Sequence, residues 1–525
     1  MEDSLRMVGE YGTYQTNIKL ILLGCAFLTN IYSIQIDIML HFPNFIISQN
    51  NITIQNLTNE FDKKYCDKTK YKIDINENSE IKNWNYSFGF FCEKEYYLYC
   101  IYFSTVIGNI FGLIFFSFIA DKIGREKVIK FSMIFSCILH LNLLFCLNAF
   151  HLLLINLLGS LNSFIFVTSI ICITELLPHE SNGINIGIFN LVYYLYPIIL
   201  YLFLKIFSDW KTYFFFTSIS HIFIAHFAFY NFLESPRWLY SIGQKIKCLS
   251  ILDRIALYNG TSIRWNDYQK INIEDANRFG RASTNFTKLF NFELTSGDAE
   301  PDFKGINIFD IFKFKSQKNI LLLLLALVFF NSIFSNGIFL LIKYKQNFNS
   351  FFLFENIHTL ILINLYRIII GMLSGYFCDI LGRKYIIIFG SILGSICFFI
   401  YSQKNSDFFL MISFFCSQGI NTILLIYIPE NISTPIRNTL CGWYFLEYKI
   451  IQICLELSYK SMNKEGLNYI IILSGFLIAF WLIYLKETLN EKIPDIIPEL
   501  KDKIESLENI NLKSFQSSEY PSFLI

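Results

Sequence analysis

Long apolar stretches recur along nearly the whole chain, and no other property restricts its folding as severely. Twelve are apparent, at roughly 18–40, 97–120, 128–148, 151–174, 184–206, 211–232, 318–341, 353–378, 385–403, 407–429, 438–459 and 467–485. Each is close to the ~20 residues a helix needs to cross a ~30 Å hydrocarbon layer. Inside lipid every peptide group must find its hydrogen bond within the segment, so the sequence predicts an all-α membrane protein with twelve transmembrane helices. Only 16% of residues are charged, against ~25% in soluble domains. The first run is long, lacks a small-residue cleavage site and follows the mixed-charge segment MEDSLRMVGEYGTYQTNIK; it is expected to remain as the first helix rather than to leave as a signal peptide.

The formal net charge of +1 points to no nucleic-acid or acidic partner; the distribution of charge is more informative. Lys and Arg gather in DKIGREK (121–127), in 237–317, in GRK (382–384) and in PIR (435–437), which assigns these connections, and both termini, to the cytoplasm. The segment 43–96 then faces outward. It carries the sequons at Asn51, Asn56 and Asn85, so a glycosylated exofacial loop at the plasma membrane is expected. Further sequons at Asn259, Asn285 and Asn431 fall on the cytoplasmic side and are read as chance matches. Of thirteen cysteines, only Cys66 and Cys92 lie clearly in the oxidising loop, allowing one disulfide. The expected organisation is a cytoplasmic N-terminus (1–17), a six-helix bundle (18–235) with its exofacial loop (43–96), a cytoplasmic central loop (236–317), a second six-helix bundle (318–490) and a cytoplasmic tail (491–525). The tail ends in Phe-Leu-Ile, a weak match to peptides that add a strand to a PDZ-type groove.

The two halves repeat one another. FFSFIADKIGREK (115–127) answers LSGYFCDILGRK (373–384), pairing Asp121 with Asp379 and Arg125 with Arg383. ITELLPHESNG (173–183) answers IPENISTPIRN (428–438), pairing Glu175 with Glu430 and placing Asn182 opposite Arg437. FLESPRWL (232–239) answers YLKETLNE (484–491), pairing Glu234 with Glu487. The offsets of 258, 255 and 253 residues stay nearly constant through three markers in order. They predict two pseudo-symmetric six-helix bundles, the architecture of alternating-access carriers.

These residues resemble the major facilitator superfamily, whose signature is the Asp-x-x-Gly-Arg turn, and within it the organic cation, anion and zwitterion transporters. The narrower resemblance rests on the long sequon-bearing first loop with Trp84-Asn-Tyr-Ser and Phe91-Cys92, on ESPRWL at 234–239, on the long central loop, and on Lys486-Glu487-Thr488-Leu489 where relatives carry Pro-Glu-Thr. ESPRWL is shared with sugar porters, but FFNSIFSNGIF (329–339) lacks the glutamines of that group. The chain departs from the pattern at Ser117, usually Gly; at Ile155 or Asn156, where relatives carry Arg; and at Asn182. The resemblance implies that Asp121, Arg125, Glu175, Glu234, Arg237, Asp379, Arg383, Glu430, Arg437 and Glu487 form ion pairs that close a cytoplasmic gate. The alternative is ordinary turn charge.

No enzyme constellation, cofactor motif or metal-ligand spacing is present, so the chain is read as a carrier and not an enzyme. Two cations stand inside apolar runs. Lys449 lies twelve residues beyond Arg437, and Arg367 twelve before Asp379, so both sit about 18 Å from the cytoplasmic helix ends. Charges at that depth face a cavity or a partner. Either they bind an anionic substrate, or carboxylates such as Glu447, Glu456 or Asp37 neutralise them. The resemblance implies the former for Lys449, since relatives that carry anions have a basic residue there; Arg367 reverses an acidic position. Tyr193 and Tyr196 are candidate stacking residues. The expected function is transport of small organic ions, anions favoured, with cation or zwitterion transport and a non-transporting receptor or scaffold as alternatives.

Overall fold

The computed structural model describes residues 2–9, 11–29, 36–40, 45–49, 52–57, 72–75, 82–90, 92–207, 209–261, 315–344, 357–459, 464–489 and 491–495. The Phe-Leu-Ile terminus, Asn51, Cys66 and Asn285 lie outside them.

Twelve helices occupy the apolar runs: α1 (Thr13–Thr29), α2 (Tyr96–Ile123), α3 (Arg125–Leu144), α4 (Ala149–Leu176), α5 (His179–Phe207), α6 (Trp210–Asn231), α7 (Lys315–Tyr344), α8 (Ile357–Leu381), α9 (Arg383–Lys404), α10 (Asp407–Asn431), α11 (Arg437–Ser458) and α12 (Lys464–Leu482). Ten contain a stretch long and apolar enough to cross a membrane. The other two differ for plain reasons: α1 spans 17 residues, and α11 carries Arg437, Glu447, Lys449 and Glu456 within its 22. Between α1 and α2 the all-α expectation needs an addition, a small antiparallel sheet of β1 (Phe45–Gln49), β2 (Ile52–Leu57) and β3 (Lys72–Ile75) in the order β2-β1-β3.

Within the first half α2 packs on α4 and α3 on α6; within the second, α9 packs on α10 and α12, and α7 on α10, α11 and α12. The halves meet along two seams, α5 against α8 and α2 against α11. The first seam brings backbones together. A methyl group at Gly187 would sit 3.0 Å from Gly371 O, and Gly183 and Gly375 each abut the other's carbonyl. This is small-residue packing in which the van der Waals contact of bare backbone replaces a hydrophobic driving force that lipid cannot supply. At the second seam Gly442 faces Ser117 and Leu113 O, a Cβ there coming within 2.5 Å of Ser117 Oγ.

The stretch before α2 is anchored by aromatics. Trp84 and Trp210 are buried with ring centroids 6.4 Å apart, and Trp84 stacks on Phe214, while Trp210 Nε1 donates to Ser87 Oγ at 2.8 Å. Asn85 belongs to this plug. It is fully buried, donates to Leu40 O and accepts from Phe90 N at 2.9 Å. Its expected glycan therefore has no room, which corrects the sequon reading at Asn85; Asn56 lies on β2, opposite Ile46. Cys92 is disulfide-bonded.

Candidate functional site

The face expected to act as the gate, called the gate face below, is assembled by the duplicated turns. Gly124 and Gly382 sit at φ +113° and +97°, a region that a Cβ disfavours. In each turn a side chain there would also run into the carboxylate behind it, Glu234 or Glu487. Those carboxylates hold the turns shut: Glu234 Oε1 accepts from Arg125 N and Glu487 Oε1 from Arg383 N, both at 2.9 Å. Burial pushes the Glu234 carboxyl up to about 7 against the opposing pull of the Arg125 guanidinium and its backbone donors.

From these turns the carboxylates of α2 and α8 reach across the seams. Asp121 caps α11, accepting from Asn438 N at 3.3 Å and from Thr439 N and Oγ1 at 2.7 Å. Asp379 caps α5, accepting from Gly183 N and Ile184 N at 2.9 Å. A carboxylate on unsatisfied N–H groups at a helix N-terminus is favourable in both hydrogen bonding and dipole. Each cap also pairs with the arginine one turn on, Asp121 with Arg125 at 3.0 Å and Asp379 with Arg383 at 3.4 Å.

The deeper layer is not symmetric. Glu175, wholly buried, pairs with Arg437 across the seam at 2.9 Å and with Arg125 at 3.4 Å. Its counterpart Glu430 meets Arg383 at 3.4 Å within its own half. Across the seam Glu430 meets Asn182 Nδ2 at 3.2 Å and His179 Nε2 at 3.1 Å, with Thr488 Oγ1 donating at 2.6 Å from behind. The arginine missing at position 182 is thus replaced by an amide and an imidazole. Arg237 donates to Glu175 O and pairs with Asp495 at 3.1 Å. The segment carrying Asp495 also offers Pro494 O to Thr434 N at 3.1 Å and to Arg437 Nη2 at 3.3 Å. Residues 491–495 after α12 therefore strap the halves together, a role the sequence reading did not assign. All ten expected gate residues lie in this layered cluster.

Beyond the gate a cavity of about 160 Å³ lies between the halves. Lys449 is the one charged side chain among its described lining residues; Tyr193, Tyr194, Tyr444 and Tyr448 line it with four carboxamides, Asn109, Asn190, Asn331 and Asn421. Lys449 also has an interaction within the protein. The carboxamides form partial networks: Asn331 Nδ2 donates to Asn421 Oδ1 at 2.6 Å and Asn190 Nδ2 to Thr422 Oγ1 at 2.9 Å, while Asn331 Oδ1 is buried without a partner. Isolated asparagines inside apolar runs were the signal for this wall.

Arg367 stands one layer behind. Its guanidinium lies 4.6 Å from the Phe339 ring centre, 5.3 Å from Tyr194 and 5.8 Å from Phe414, with Nε buried and unpartnered. Tyr194, which lines the cavity, separates the two. Tyr196 does not reach the cavity: its ring is fully buried, edge-on to Phe27 at 5.1 Å and Tyr213 at 6.4 Å. It points into the first half because two residues along a helix turn the side chain by about 200°. Glu456, a candidate neutraliser, accepts instead from Tyr102 OH at 2.8 Å; Glu447 Oε2 is buried with no hydrogen-bond donor.

Two helical bundles closed on one face over a central cavity define a membrane transporter of the alternating-access type. The family model of the Major Facilitator Superfamily matches residues 96–450, and the chain belongs to that superfamily. No curated protein sequence matches it. Among solved structures it resembles the proton:xylose symporter XylE bound to 6-bromo-6-deoxy-D-glucose, at 14% identity and TM-score 0.58 over 92% of this chain and 98% of that one. XylE from E. coli in a partially occluded inward-open conformation matches at 15% identity and TM-score 0.53 over 91% and 100%. The human organic anion transporter MFSD10 (TETRAN) matches at 12% identity and TM-score 0.53 over 92% and 99%. At these identities the likeness is one of fold.

Proposed function

We propose that the protein carries small organic anions across the plasma membrane by alternating access, with Lys449 as counter-charge and the tyrosines as stacking walls. The observation that carries this reading is Lys449, the single cation among the described lining residues of an aromatic and carboxamide cavity between the two halves. Arg367, caged behind Tyr194 with no carboxylate beside it among the described residues, adds positive potential on the same side of the cavity. The closed gate face, with its pairs formed, fits the state that opens to the other side, toward the loop that the sequence assigns to the exterior.

A second reading, a neutral polyol as cargo, is favoured by the four carboxamides, which match hydroxyl groups as well as they match an anion. Uptake of a labelled aromatic monocarboxylate, a labelled aromatic cation and a labelled pentose, in cells with surface expression verified, separates the readings. The anion is expected to dominate and Lys449→Asp to reduce its uptake by about tenfold or more, the worth of one charge-assisted hydrogen bond. Dominant cation uptake, dominant pentose uptake, or no flux at normal surface levels would replace the anion reading with a cation carrier, a polyol carrier or a receptor.

A further inference from the structure

We propose that Glu447 is a proton-binding site, so that each organic monoanion travels with one proton. The inference rests on the transport reading above and adds its energy coupling.

Glu447 lies ten residues beyond Arg437 on α11, about 15 Å from the gate end. The other buried or half-buried acidic side chains described on these helices have donors: Asp121 and Asp379 cap helices, Glu175 and Glu430 meet guanidiniums, and Glu456 accepts from Tyr102. Glu447 breaks this pattern, being half-buried with Oε2 fully buried and no hydrogen-bond donor. An ionised carboxylate at that depth is expensive unless something compensates it, whereas a carboxyl is not. Lys449 does not serve, because residues two apart point to different helix faces.

A second group of the same kind stands beside it. Tyr444 shares its face at i, i−3; it is 1% exposed, its hydroxyl is buried without a partner, and it lines the cavity. A protonated Glu447 would offer that oxygen the donor it lacks, and Tyr444 lines the cavity from which a proton would reach the carboxyl. The helices packed against α11 are α2, α4, α7 and α10. Along these helices the charged or protonatable residues Asp121, Lys122, Glu175, Lys315, Lys318 and Glu430 stand at the gate ends, and His151, Lys343 and Asp407 at the opposite ends. The remaining titratable groups there are tyrosines and cysteines, neutral at physiological pH. Nothing described therefore holds Glu447 in the ionised form.

The step is a simple exchange. With the cavity open to the acidic side, a carboxylate oxygen of Glu447 takes a proton from hydronium, leaving water. With the cavity open to the other side, the proton returns to water. One proton moved with one monoanion carries no net charge, so uptake should respond to a pH gradient and not to membrane potential.

The test uses the full chain in proteoliposomes. With the outside about two pH units more acidic, the wild type should accumulate a labelled aromatic monocarboxylate up to about a hundredfold, a factor of ten per unit. Glu447→Gln should abolish accumulation and leave anion–anion exchange intact, and Glu447→Asp should restore accumulation. Infrared difference spectra of the same proteoliposomes without cargo should show a carboxyl C=O band that grows on acidification and is missing in Glu447→Gln. Gradient-independent uptake by the wild type, accumulation by Glu447→Gln, or the absence of a Glu447-dependent band would each overturn the proton site. A Glu447-dependent band with no anion flux would support the site and remove the anion-carrier reading instead.

Discussion

The two charge clusters at the gate face arise from one repeated segment and solve the same problem with different chemistry. Around Glu175 the halves are joined by a guanidinium, that of Arg437, and the same carboxylate also answers Arg125. Around Glu430 the joining groups are the Asn182 amide and the His179 imidazole, and the single guanidinium, Arg383, comes from the carboxylate's own half. The helix caps by Asp121 and Asp379 are alike in both. The seams compensate: where no guanidinium pairs with the glutamate from the opposite half, Gly183, Gly187, Gly371 and Gly375 bring α5 and α8 into backbone contact, and where one does, the α2–α11 seam is built on Gly442 and Ser117. Close packing and buried charge are thus alternative ways to fasten the same joint.

The largest expected effect follows from the number of guanidiniums each glutamate serves. Glu175→Gln leaves Arg437 buried with carbonyls alone, those of Ile432 and Pro494, and an uncompensated buried charge costs about 3–5 kcal/mol. Glu430→Gln leaves Arg383 its pairing with Asp379 and loses about 1.5–3 kcal/mol, one charge-assisted hydrogen bond. Thermal unfolding of the purified protein should rank them in that order. Two native thiols report the seams separately. Cys441 on α11 and Cys378 on α8 are both buried, so alkylation followed by mass spectrometry should rise at Cys441 in Glu175→Gln and at Cys378 in Glu430→Gln. Equal effects would dissolve the contrast.

Glu234 adds a pH dependence to the first cluster. Its carboxyl is held at about 7 when folded against ~4.3 for a free Glu, so the folded state binds the proton more tightly. The stability this supplies is complete below pH ~4.3 and disappears as pH rises through about 7, a change of a few kcal/mol at most. Unfolding midpoints of the wild type should therefore fall across that window, and those of Glu234→Gln should be flatter. A slope unchanged in Glu234→Gln would place the titrating group elsewhere.

Restoring the missing arginine is the direct way to break the comparison. Asn182 is fully buried, so Asn182→Arg should overpack the site and cost about 1–3 kcal/mol. Removing the imidazole as well, in Asn182→Arg/His179→Ala, should recover part of that loss because the new guanidinium takes the place of His179 beside Glu430. A double-mutant cycle in which the two changes add would show that His179 does not stand in for the arginine.

How much of this was legible depended on whether position along the chain implied position in space. The twelve runs and the clustering of the duplicated charges were, because a turn such as Asp-x-x-Gly-Arg fixes its own geometry and its duplicate repeats it. The cavity wall was only half legible. Lys449 could be ranged by helical rise, but which face of α5 meets the cavity depends on how the bundles pack, so Tyr194 lines it while Tyr196 is turned away. The same tertiary choice put Asn85 inside an aromatic plug and Arg367 behind a tyrosine. His179 and Asp495 had no duplicated partner to mark them; their roles exist only across the seam.

The smallest effect tests whether burial, and not charge pairing as such, gives the gate its strength. Arg6, in the short helix Glu2–Met7, reaches Glu180 at 3.3 Å with side chains 51% and 64% exposed. This pair lies on the same face of the molecule as Glu175–Arg437, at a similar separation, but in water. Solvent screening and side-chain entropy leave such pairs about 0–1 kcal/mol. Arg6→Gln is therefore expected to leave the unfolding midpoint and both cysteine reporters within error of the wild type, raised salt to change neither protein's gate, and Glu175→Gln to keep its full effect under both conditions. A loss in Arg6→Gln comparable to that in Glu175→Gln would mean that the rim, and not the buried layer, carries the closure.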